Sequence, residues 1–261
     1  NGLNGLKFIS KSEIQKREPH LNSKKALLVP EEGIVNYNEV IVSLSEKIKN
    51  KGGDIFLDNK VLGIFNQKFN KTVIKTQNLE KEFDVIINCT GLFSDRVYSS
   101  FTKKKSPIKI IPFRGEYMQM SDEYKHIVNH LIYPVPNPEY PFLGVHFTRT
   151  INGTREVGPN AVFALKREGY KNSDISLYDI IDSLSYKGLI NFFLNNTRFA
   201  IDEIASSLSS KLFIAKAKKL IPDIEEYMFI KGGTAGVRAQ AISSSGELIM
   251  DFNIIREKNQ V

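Results

Sequence analysis

A nearly continuous apolar run of strand length is the feature that most constrains this chain. Residues 83–89 read Phe-Asp-Val-Ile-Ile-Asn-Cys and are followed at once by Thr90 and Gly91. Such a run is typical of a central parallel strand that is buried on both faces of a sheet. Open α/β sheets bind ligands at the carboxyl ends of their strands, and a glycine there lets the backbone approach a flat group. An ordinary strand-to-helix turn has the same pattern, so this motif alone leaves both interpretations open.

Short periodic segments on the amino-terminal side of this run predict further elements of a sheet with helices. Apolar spacing predicts helices over 12–18 and 38–51, a strand at 54–57, and a hairpin of 60–65 with 71–76. Together with the apolar run, these elements predict part of a doubly wound nucleotide-binding sheet into which a small β-meander is inserted.

From about residue 107 the pattern changes, because prolines interrupt the strand-like runs and helical spacing returns later. Predicted strands cover 108–120, 131–135, 142–150 and 157–165, predicted helices cover 176–195 and 201–220, and strand-like runs follow at 227–230 and 248–252. This order predicts a second, α+β domain, in which helices cover a mostly antiparallel sheet. The predicted fold class is therefore α/β, with a partial doubly wound sheet interleaved with this second domain.

Composition excludes several classes of protein. Apolar residues make up 41% and charged residues 25% of the 261 residues, and no apolar run approaches the roughly 18–20 residues needed to cross a bilayer. The net charge is +7, but acidic residues are interspersed with the basic ones and no basic stripe with aromatic residues occurs, so no nucleic-acid partner is expected. The single cysteine, Cys89, cannot form an intramolecular disulfide, which favours a reducing, cytoplasmic compartment.

Histidine and arginine side chains are the candidates for chemistry. His146 is a candidate general base, because imidazole titrates nearest to neutral pH, although a structural histidine fits the same spacing. Arg114 and Arg238 each lie within two residues of a glycine and could grip a carboxylate with two parallel hydrogen bonds, or form an ordinary salt bridge. His126 and His130 have the spacing of a helical metal pair but no obvious third ligand, so no metal site is expected.

Many longer segments, taken together and in order, resemble one family of flavoproteins through nearly all of the chain. The matching segments are Arg17-Glu18-Pro19, Pro30 with Gly33-Ile34-Val35, Asn88-Cys89-Thr90-Gly91-Leu92, Pro112-Phe113-Arg114-Gly115-Glu116-Tyr117, Asn129-His130-Leu131-Ile132-Tyr133-Pro134, Pro141-Phe142-Leu143-Gly144-Val145-His146, Gly158-Pro159-Asn160-Ala161, Arg167-Glu168-Gly169-Tyr170, Gly236-Val237-Arg238-Ala239-Gln240-Ala241 and Asp251-Phe252. They resemble the FAD-dependent L-2-hydroxyglutarate dehydrogenase/oxidase family, within the D-amino-acid-oxidase-like flavoprotein superfamily.

The resemblance implies oxidation of L-2-hydroxyglutarate, or of a close dicarboxylic 2-hydroxy acid, to the 2-oxo acid. It implies that FAD accepts the hydride and that a base takes the hydroxyl proton. The implied site comprises His146 as the catalytic base, Arg238, Arg114, Tyr117 and Tyr133 as substrate-binding residues, and Val61, Thr90, Gly91 and Gly236 as cofactor-binding residues. The implied domains are a partial FAD-binding domain with a β-meander (1–106), a substrate-binding domain (107–230) and a truncated return to the FAD-binding domain (231–261).

The chain also departs from the family's pattern. Family members begin with a strand and a glycine-rich dinucleotide motif, and they end with a segment that helps to enclose the flavin; neither region matches here. The resemblance therefore implies a central fragment that by itself binds FAD weakly or not at all and is inactive. Two alternatives remain: another enzyme of the superfamily, such as an amino-acid oxidase or a glycerol-3-phosphate dehydrogenase, and a non-catalytic binding module.

Two further expectations concern the surroundings of the enzyme. The electron acceptor is expected to be oxygen or a membrane quinone. The basic net charge is compatible with peripheral association at the inner face of an anionic membrane.

Overall fold

The computed structural model describes residues 2–66, 71–136, 144–230 and 233–257. Contacts divide the chain into two compact units. The first unit comprises Asn1–Val40, Arg114–Val162 and Asn196–Gly236, and the second comprises Ile41–Phe113, Phe163–Asn195 and Val237–Val261. The division into FAD-binding and substrate-binding domains at residues 106 and 230 stays a prediction. The two units are defined by contacts within the chain, which do not show where a ligand binds.

The secondary structure is a mixture of helices and short strands, as expected for an α/β chain. The strands are β1 (Lys7–Ser10), β2 (Lys25–Leu28), β3 (Val61–Asn66), β4 (Thr72–Thr76), β5 (Glu80–Phe83), β6 (Ile108–Glu116), β7 (Met118–Gln119), β8 (His146–Arg149), β9 (Arg155–Gly158), β10 (Val162–Phe163) and β11 (Ala235–Ser243). The helices are α1 (Lys11–Arg17), α2 (Tyr37–Asn50), α3 (Ser94–Thr102), α4 (Leu177–Leu184), α5 (Lys187–Asn195), α6 (Thr197–Leu208) and α7 (Ser210–Ala217).

The core of the first unit forms between an antiparallel sheet and helix α7. The sheet has the order β7-β9-β8, and its buried side chains Phe147 and Val157 pack in one cluster with Phe213 and Ile214 of α7. Alternation along β8 and β9 sends these apolar side chains to one face, where burial stabilises the unit. The predicted antiparallel sheet covered by a helix is therefore confirmed here. A two-stranded pairing of β1 with β2, which the sequence did not predict, also lies in this unit.

The second unit contains the predicted β-meander. Strands β3, β4 and β5 pair in order and antiparallel, with a register shift between Val61 and Gly63. The hairpin predicted from the two β-rich runs is thus confirmed, although residues 67–70 at its turn lie outside the described residues. The remaining sheet has the strand order β10-β6-β11.

Several predicted elements differ from the structure. The apolar run at 83–89 is not a continuous strand: β5 ends at Phe83 and only an isolated bridge at Ile86 follows, with Val85 58% and Ile87 67% exposed. A central strand requires hydrogen-bonded neighbours along its whole length, and the described residues supply them over this run only at Phe83 and Ile86. The strand predicted at 54–57 is a non-strand segment and turn for the same reason.

The two long helices predicted near the carboxyl-terminal end are each split in two. The predicted helix 176–195 divides into α4 and α5 at Ser185, and the predicted helix 201–220 divides into α6 and α7 at Ser209. Ser209 has extended backbone angles, and its hydroxyl accepts a hydrogen bond from the N–H of Leu212, so it caps a new helix. A periodic apolar pattern continues through such a break, which is why periodicity alone does not reveal it.

Candidate active site

His146 begins strand β8 in the first unit, and the aromatic ring of Tyr133 lies against it. The two ring centroids are 4.5 Å apart with an angle of 34° between the ring planes. Only 8% of His146 is exposed, whereas 39% of Tyr133 is exposed. His146 is therefore a buried side chain that can exchange a proton, and the ring beside it, that of Tyr133, is exposed.

The surroundings of His146 fix its protonation state. Its Nδ1 lies 3.0 Å from the carbonyl oxygen of Gly144, which can only accept a hydrogen bond, so Nδ1 carries the proton. Burial lowers the pKa of His146, although the hydrogen bond to Gly144 acts in the opposite direction. The imidazole is therefore neutral at pH 7, and its Nε2 holds the lone pair that a base needs.

Tyr117 is held close to the same strands by glycines. Gly158 is the register partner of His146 in the β8–β9 pair, and a Cβ atom on it would lie 2.7 Å from Cδ1 of Tyr117. A Cβ atom on Gly233 would lie 1.5 Å from the carbonyl oxygen of Tyr117, so only glycine fits at that position. Tyr117, Tyr133 and His146, three of the predicted site residues, thus lie in one part of the first unit.

Both tyrosines keep their phenolic protons over a wide pH range. Burial raises the pKa of Tyr117, and the charge of Glu156 and the neighbouring Tyr133 raise it further. Burial also raises the pKa of Tyr133, and the charge of Glu32 adds to this, while a hydrogen bond with Thr148 acts against it. Both phenols are consequently potential hydrogen-bond donors at neutral pH.

Arg114 is buried and paired with a carboxylate of its own strand. Its Nε and Nη2 lie 3.0 Å and 2.9 Å from Oε1 of Glu116. Oε2 of Glu116 accepts hydrogen bonds from the side chains of Asn160 at 2.6 Å and Ser207 at 2.9 Å. The guanidinium therefore belongs to a buried polar network next to Tyr117, which agrees with the salt bridge that the sequence left open beside the carboxylate clamp. No pattern in the sequence indicated that Glu116, Asn160 and Ser207 join Arg114 in this network.

The other predicted site residues lie at separate places in the chain. Val61 begins β3, Arg238 lies on β11, and both belong to the second unit, where their side chains are exposed. Gly236 is the last residue of the first unit, and a Cβ atom on it would meet nothing within 4 Å. Its backbone is therefore open to an approaching group.

The turn at Thr90 and Gly91 is built by the side chain of Asn88. Oδ1 of Asn88 accepts hydrogen bonds from the hydroxyl of Thr90 at 2.7 Å and from its backbone N–H at 3.3 Å, and Nδ2 donates to the carbonyl of Ser94 at 2.9 Å. Gly91 has a φ of 53°, a left-handed conformation that glycine adopts without strain, and a Cβ atom there would meet nothing within 4 Å. The turn thus exposes backbone that a flat cofactor could contact, so these residues fit FAD.

A pocket of about 380 Å³ lies beside this turn in the second unit. Asn88, Cys89 and Ser94 contribute to its wall, together with apolar side chains of α3 such as Val97 and Phe101. A mostly apolar pocket with a few polar groups is typical of a small-molecule site.

Sequence reasoning missed a buried ionic cluster in the second unit. Arg167 is fully buried and pairs with Asp95, and Asp182 accepts hydrogen bonds from Arg96, Lys109 and Arg167. The only signal for this cluster in the sequence was the segment 167–170, which is one of the segments that match the family.

None of the helices in the described ranges has the length and the hydrophobicity that a membrane-spanning segment requires.

The comparisons with known proteins agree with this picture. A family model described as FAD dependent oxidoreductase matches residues 1–257. A protein named L-2-hydroxyglutarate dehydrogenase from Indibacter alkaliphilus is 42% identical over 261 residues, which cover 100% of this chain and 65% of that protein. The protein of the same name from Escherichia coli K12 is 39% identical over 95% of this chain and 59% of its own length. The mitochondrial one from Mus musculus is 35% identical over 97% of this chain and 56% of its own length.

The chain thus spans between 56% and 65% of the length of these three relatives. Solved structures share its fold: an L-alpha-glycerophosphate oxidase from Mycoplasma pneumoniae with FAD bound matches with a TM-score of 0.66 and 17% identity, over 92% of this chain and 54% of that one. A glycine oxidase from Bacillus cereus matches with a TM-score of 0.60 and 16% identity, over 92% and 54% of the two chains. The fold and the family match together lead to one conclusion: the chain belongs to the FAD dependent oxidoreductase family.

Proposed function

We propose that this chain forms the substrate site and part of the flavin site of an enzyme that oxidises L-2-hydroxyglutarate to 2-oxoglutarate. The observation that carries the proposal is the neutral, buried His146 beside Tyr133 and Tyr117. The choice of substrate is supported by the relatives named L-2-hydroxyglutarate dehydrogenase, which are 35–42% identical to this chain.

The oxidation of a 2-hydroxy acid removes a proton from the hydroxyl group and a hydride from C2. FAD, when bound, supplies the hydride acceptor. In our proposal Nε2 of His146 takes the hydroxyl proton, because Nδ1 is already occupied by its bond to Gly144. The C2–O bond then becomes the carbonyl of the 2-oxo acid.

A dicarboxylic substrate needs donors for its two carboxylates. We assign Arg238 to one of them, since a guanidinium can donate two parallel hydrogen bonds to a carboxylate. Tyr117 and Tyr133 are assigned to orienting the substrate, because both phenols stay protonated and can donate. Arg114 is assigned a different role from the one expected: its ion pair with Glu116 holds the strand that leads to Tyr117.

For FAD, we assign backbone contacts to Val61 and to the Thr90–Gly91 turn, and close approach to Gly236. The support is the open space over both glycines and the exposure of the other two residues. These contacts require no charged side chain, which suits the flat, largely uncharged rings of a flavin nucleotide.

The decisive experiment is an anaerobic absorbance titration of the protein expressed from its natural gene. We expect flavin bands that L-2-hydroxyglutarate bleaches and that L-glutamate and glycerol 3-phosphate do not bleach. Bleaching by the amino acid or by the phosphate ester would instead identify the related oxidases and dehydrogenases of the superfamily. A protein without flavin bands would support a binding module and contradict the proposal.

The electron acceptor is proposed to be oxygen or a quinone. Reoxidation of the bleached flavin in air, compared with reoxidation by a soluble quinone analogue without oxygen, distinguishes the two. We also propose a cytoplasmic enzyme, as the single cysteine favours, that associates peripherally with an anionic membrane, as the net charge of +7 favours. Co-sedimentation with anionic and neutral vesicles tests the association.

A further inference from the structure

Six charged side chains of the second unit form one connected ionic cluster. Its members are the cations Arg96, Lys109 and Arg167 and the anions Asp95, Asp179 and Asp182. The charges of the cluster balance, and its residues come from α3, β6, α4 and the segment before α4. A cluster of this kind can hold separate segments of a chain in a fixed arrangement.

Arg167 is the most buried cation of the cluster and makes its most specific contact. Its Nη1 and Nη2 lie 2.5 Å and 2.9 Å from the two carboxylate oxygens of Asp95, which is a bidentate pair. Nη2 also lies 3.2 Å from Oδ2 of Asp182. The planar guanidinium is therefore fixed in orientation as well as in position.

The same guanidinium reaches the proposed cofactor turn. Nη1 of Arg167 donates a hydrogen bond to the carbonyl oxygen of Leu92, and its central carbon lies 6.0 Å from the ring centroid of Phe93. Leu92 is the middle residue of a 3-10 helix of one turn, Gly91–Phe93, which directly follows Thr90. A residue distant in the chain thus fixes the backbone of this turn.

Asp95 completes the connection to the sheet. Its Oδ2 accepts a hydrogen bond from the backbone N–H of Ile110 at 3.2 Å, so Arg167 and Asp95 together tie the turn to strand β6. The backbone N–H of Arg167 itself donates to Asp179 of α4 at 3.0 Å.

Stability alone is a weak reason for this arrangement. Nε of Arg167 has no hydrogen-bond partner in the part of the chain that the structure describes, and a buried N–H without a partner is unfavourable. A buried ion pair also often adds no net stability over apolar side chains of similar volume. Both observations favour a role in geometry.

We propose that Arg167 is a positioning residue that fixes the Thr90–Phe93 turn for contact with the flavin nucleotide. The inference rests on the proposed function, since that function assigns Thr90 and Gly91 to the cofactor. Arg167 does not itself touch the cofactor in this proposal; it acts through the carbonyl of Leu92 and through Asp95.

The first test measures amide hydrogen exchange in the FAD-free protein expressed from its natural gene. Arg167→Lys keeps the charge but loses the bidentate fork. We expect exchange in peptides covering residues 88–93 to become about tenfold faster, because the turn opens more often. Arg96→Lys is the matched control, because Arg96 also pairs with Asp179 and Asp182. Within the described part of the chain its guanidinium makes no hydrogen bond to the turn, so exchange there should change less than twofold.

Asp95→Asn provides a second variant in case Arg167→Lys does not fold. It conserves volume and removes the carboxylate that orients the guanidinium, so the same peptides should again exchange faster. Unchanged exchange at residues 88–93 in a folded variant of either kind, or equal acceleration by Arg96→Lys, would overturn the proposal.

The second test measures FAD affinity by the quenching of flavin fluorescence in the same proteins. We expect Arg167→Lys to raise the dissociation constant about tenfold and Arg96→Lys to change it less than twofold. An equal loss in both variants would show a general structural role and contradict the proposal. A wild-type protein that binds no FAD would contradict the proposed function instead, while the exchange measurement would still decide whether Arg167 fixes the turn.

Discussion

At the scale of single residues, His146, the base of our proposal, illustrates how burial and one hydrogen bond keep an imidazole neutral with a free Nε2. Burial lowers the pKa of the ring, and the carbonyl of Gly144 selects the tautomer with the proton on Nδ1. The sequence predicted the residue as a candidate, because histidine is the usual base near neutral pH. It could not predict the tautomer, which depends on a carbonyl oxygen fixed by the fold.

Replacing His146 by glutamine should reduce turnover of L-2-hydroxyglutarate about 10²- to 10⁴-fold, because the hydroxyl proton loses its acceptor. In the folded wild type, the pKa of His146 lies below the ordinary value of 6.5, so the imidazole is neutral at any pH above 6.5. The ratio kcat/KM should therefore fall only as the pH drops below 6.5. Steady-state kinetics across pH 5–9 measure both effects.

The exposed residue His126 provides the control for this prediction. His126→Gln should keep the turnover and the pH profile of the wild type, because this exposed ring bonds to the carbonyl of Glu123 and lies edge-on to His20, and the proposal gives it no part in the chemistry. If kcat/KM of the wild type already fell as the pH was lowered towards 6.5, or if the His146 variant were fully active, the assignment of His146 as the base would be contradicted.

Replacing Arg238 by alanine tests the proposed carboxylate clamp. A charge-assisted, bidentate pair contributes roughly 1.5–3 kcal/mol, so KM for the hydroxy acid should rise about 10- to 100-fold. Arg238→Lys should recover part of the loss, since lysine keeps the charge without the planar fork. Arg198, an exposed residue of α6, is the matched control for the removal of a surface charge. Normal affinity and turnover of Arg238→Ala would exclude the clamp.

At the scale of elements, helix α4 shows how a cap can organise a charged face. Its N-cap residue Ser176 accepts a hydrogen bond from the N–H of Asp179, which lies in the first turn. Asp179 and Asp182 are three residues apart and therefore share one face of the helix, where Arg96 contacts both. The start of α4 thus sets the position of two anions of the ionic cluster.

Replacing Ser176 by alanine should lower the free energy of unfolding by about 1 kcal/mol, because the first turn loses its side-chain acceptor. Ser176→Asn should stay close to the wild type, since asparagine is an equally good N-cap residue. Denaturation in urea, followed by circular dichroism, measures the difference. Equal loss in both variants would indicate that the hydroxyl acts through some contact other than the cap.

At the scale of the whole molecule, the ionic cluster should make the free energy of unfolding depend on pH in the acidic range. Burial by itself would raise the pKa of Asp182, but hydrogen bonds from Lys109 and Arg96 outweigh it and lower the pKa below the ordinary value of 3.8. The same balance, with hydrogen bonds from Arg167 and Arg96, lowers the pKa of Asp179. The carboxylates therefore stabilise the fold above pH 3.8, and this contribution is lost as the pH falls through the lower values of the folded state.

Asp182→Asn tests this dependence. The variant should be less stable than the wild type at pH 7, and the difference in the free energy of unfolding should shrink below pH 3.8. Urea denaturation at several pH values from 7 to 2.5 provides the measurement. A difference that stays constant over this range would contradict the assignment of the ionised carboxylate as the stabilising form.

Helix α2 marks the limit of sequence reasoning at this scale. Its apolar spacing correctly predicted a helix, and the observed bounds Tyr37–Asn50 agree within one residue with the predicted 38–51. Such spacing is typical of a helix that buries one face, yet none of the residues of α2 is buried, and Ile41 and Leu44 are 62% and 53% exposed. Periodicity determines a helix locally, but burial depends on which other segments pack against it.

The sequence by itself determined the α/β class, the β3–β4 hairpin, the helices α1 and α2, the family and a set of candidate residues. These follow from short-range patterns and from the order of motifs, which need no information about distant contacts. Residues 141–143, which belong to the matching segment 141–146 and in part to the predicted strand 142–150, lie outside the described residues.

Only the tertiary structure decided which charges pair, where helices break, and which glycines are crowded. Arg114 and Arg167 are alike in sequence, each in a short motif, yet one pairs with Glu116 two residues away and the other with Asp95, 72 residues away. The strength of an ion pair depends on distance and burial in the folded chain, and neither is encoded in the spacing of the residues. The positions of the partners therefore had to come from the fold.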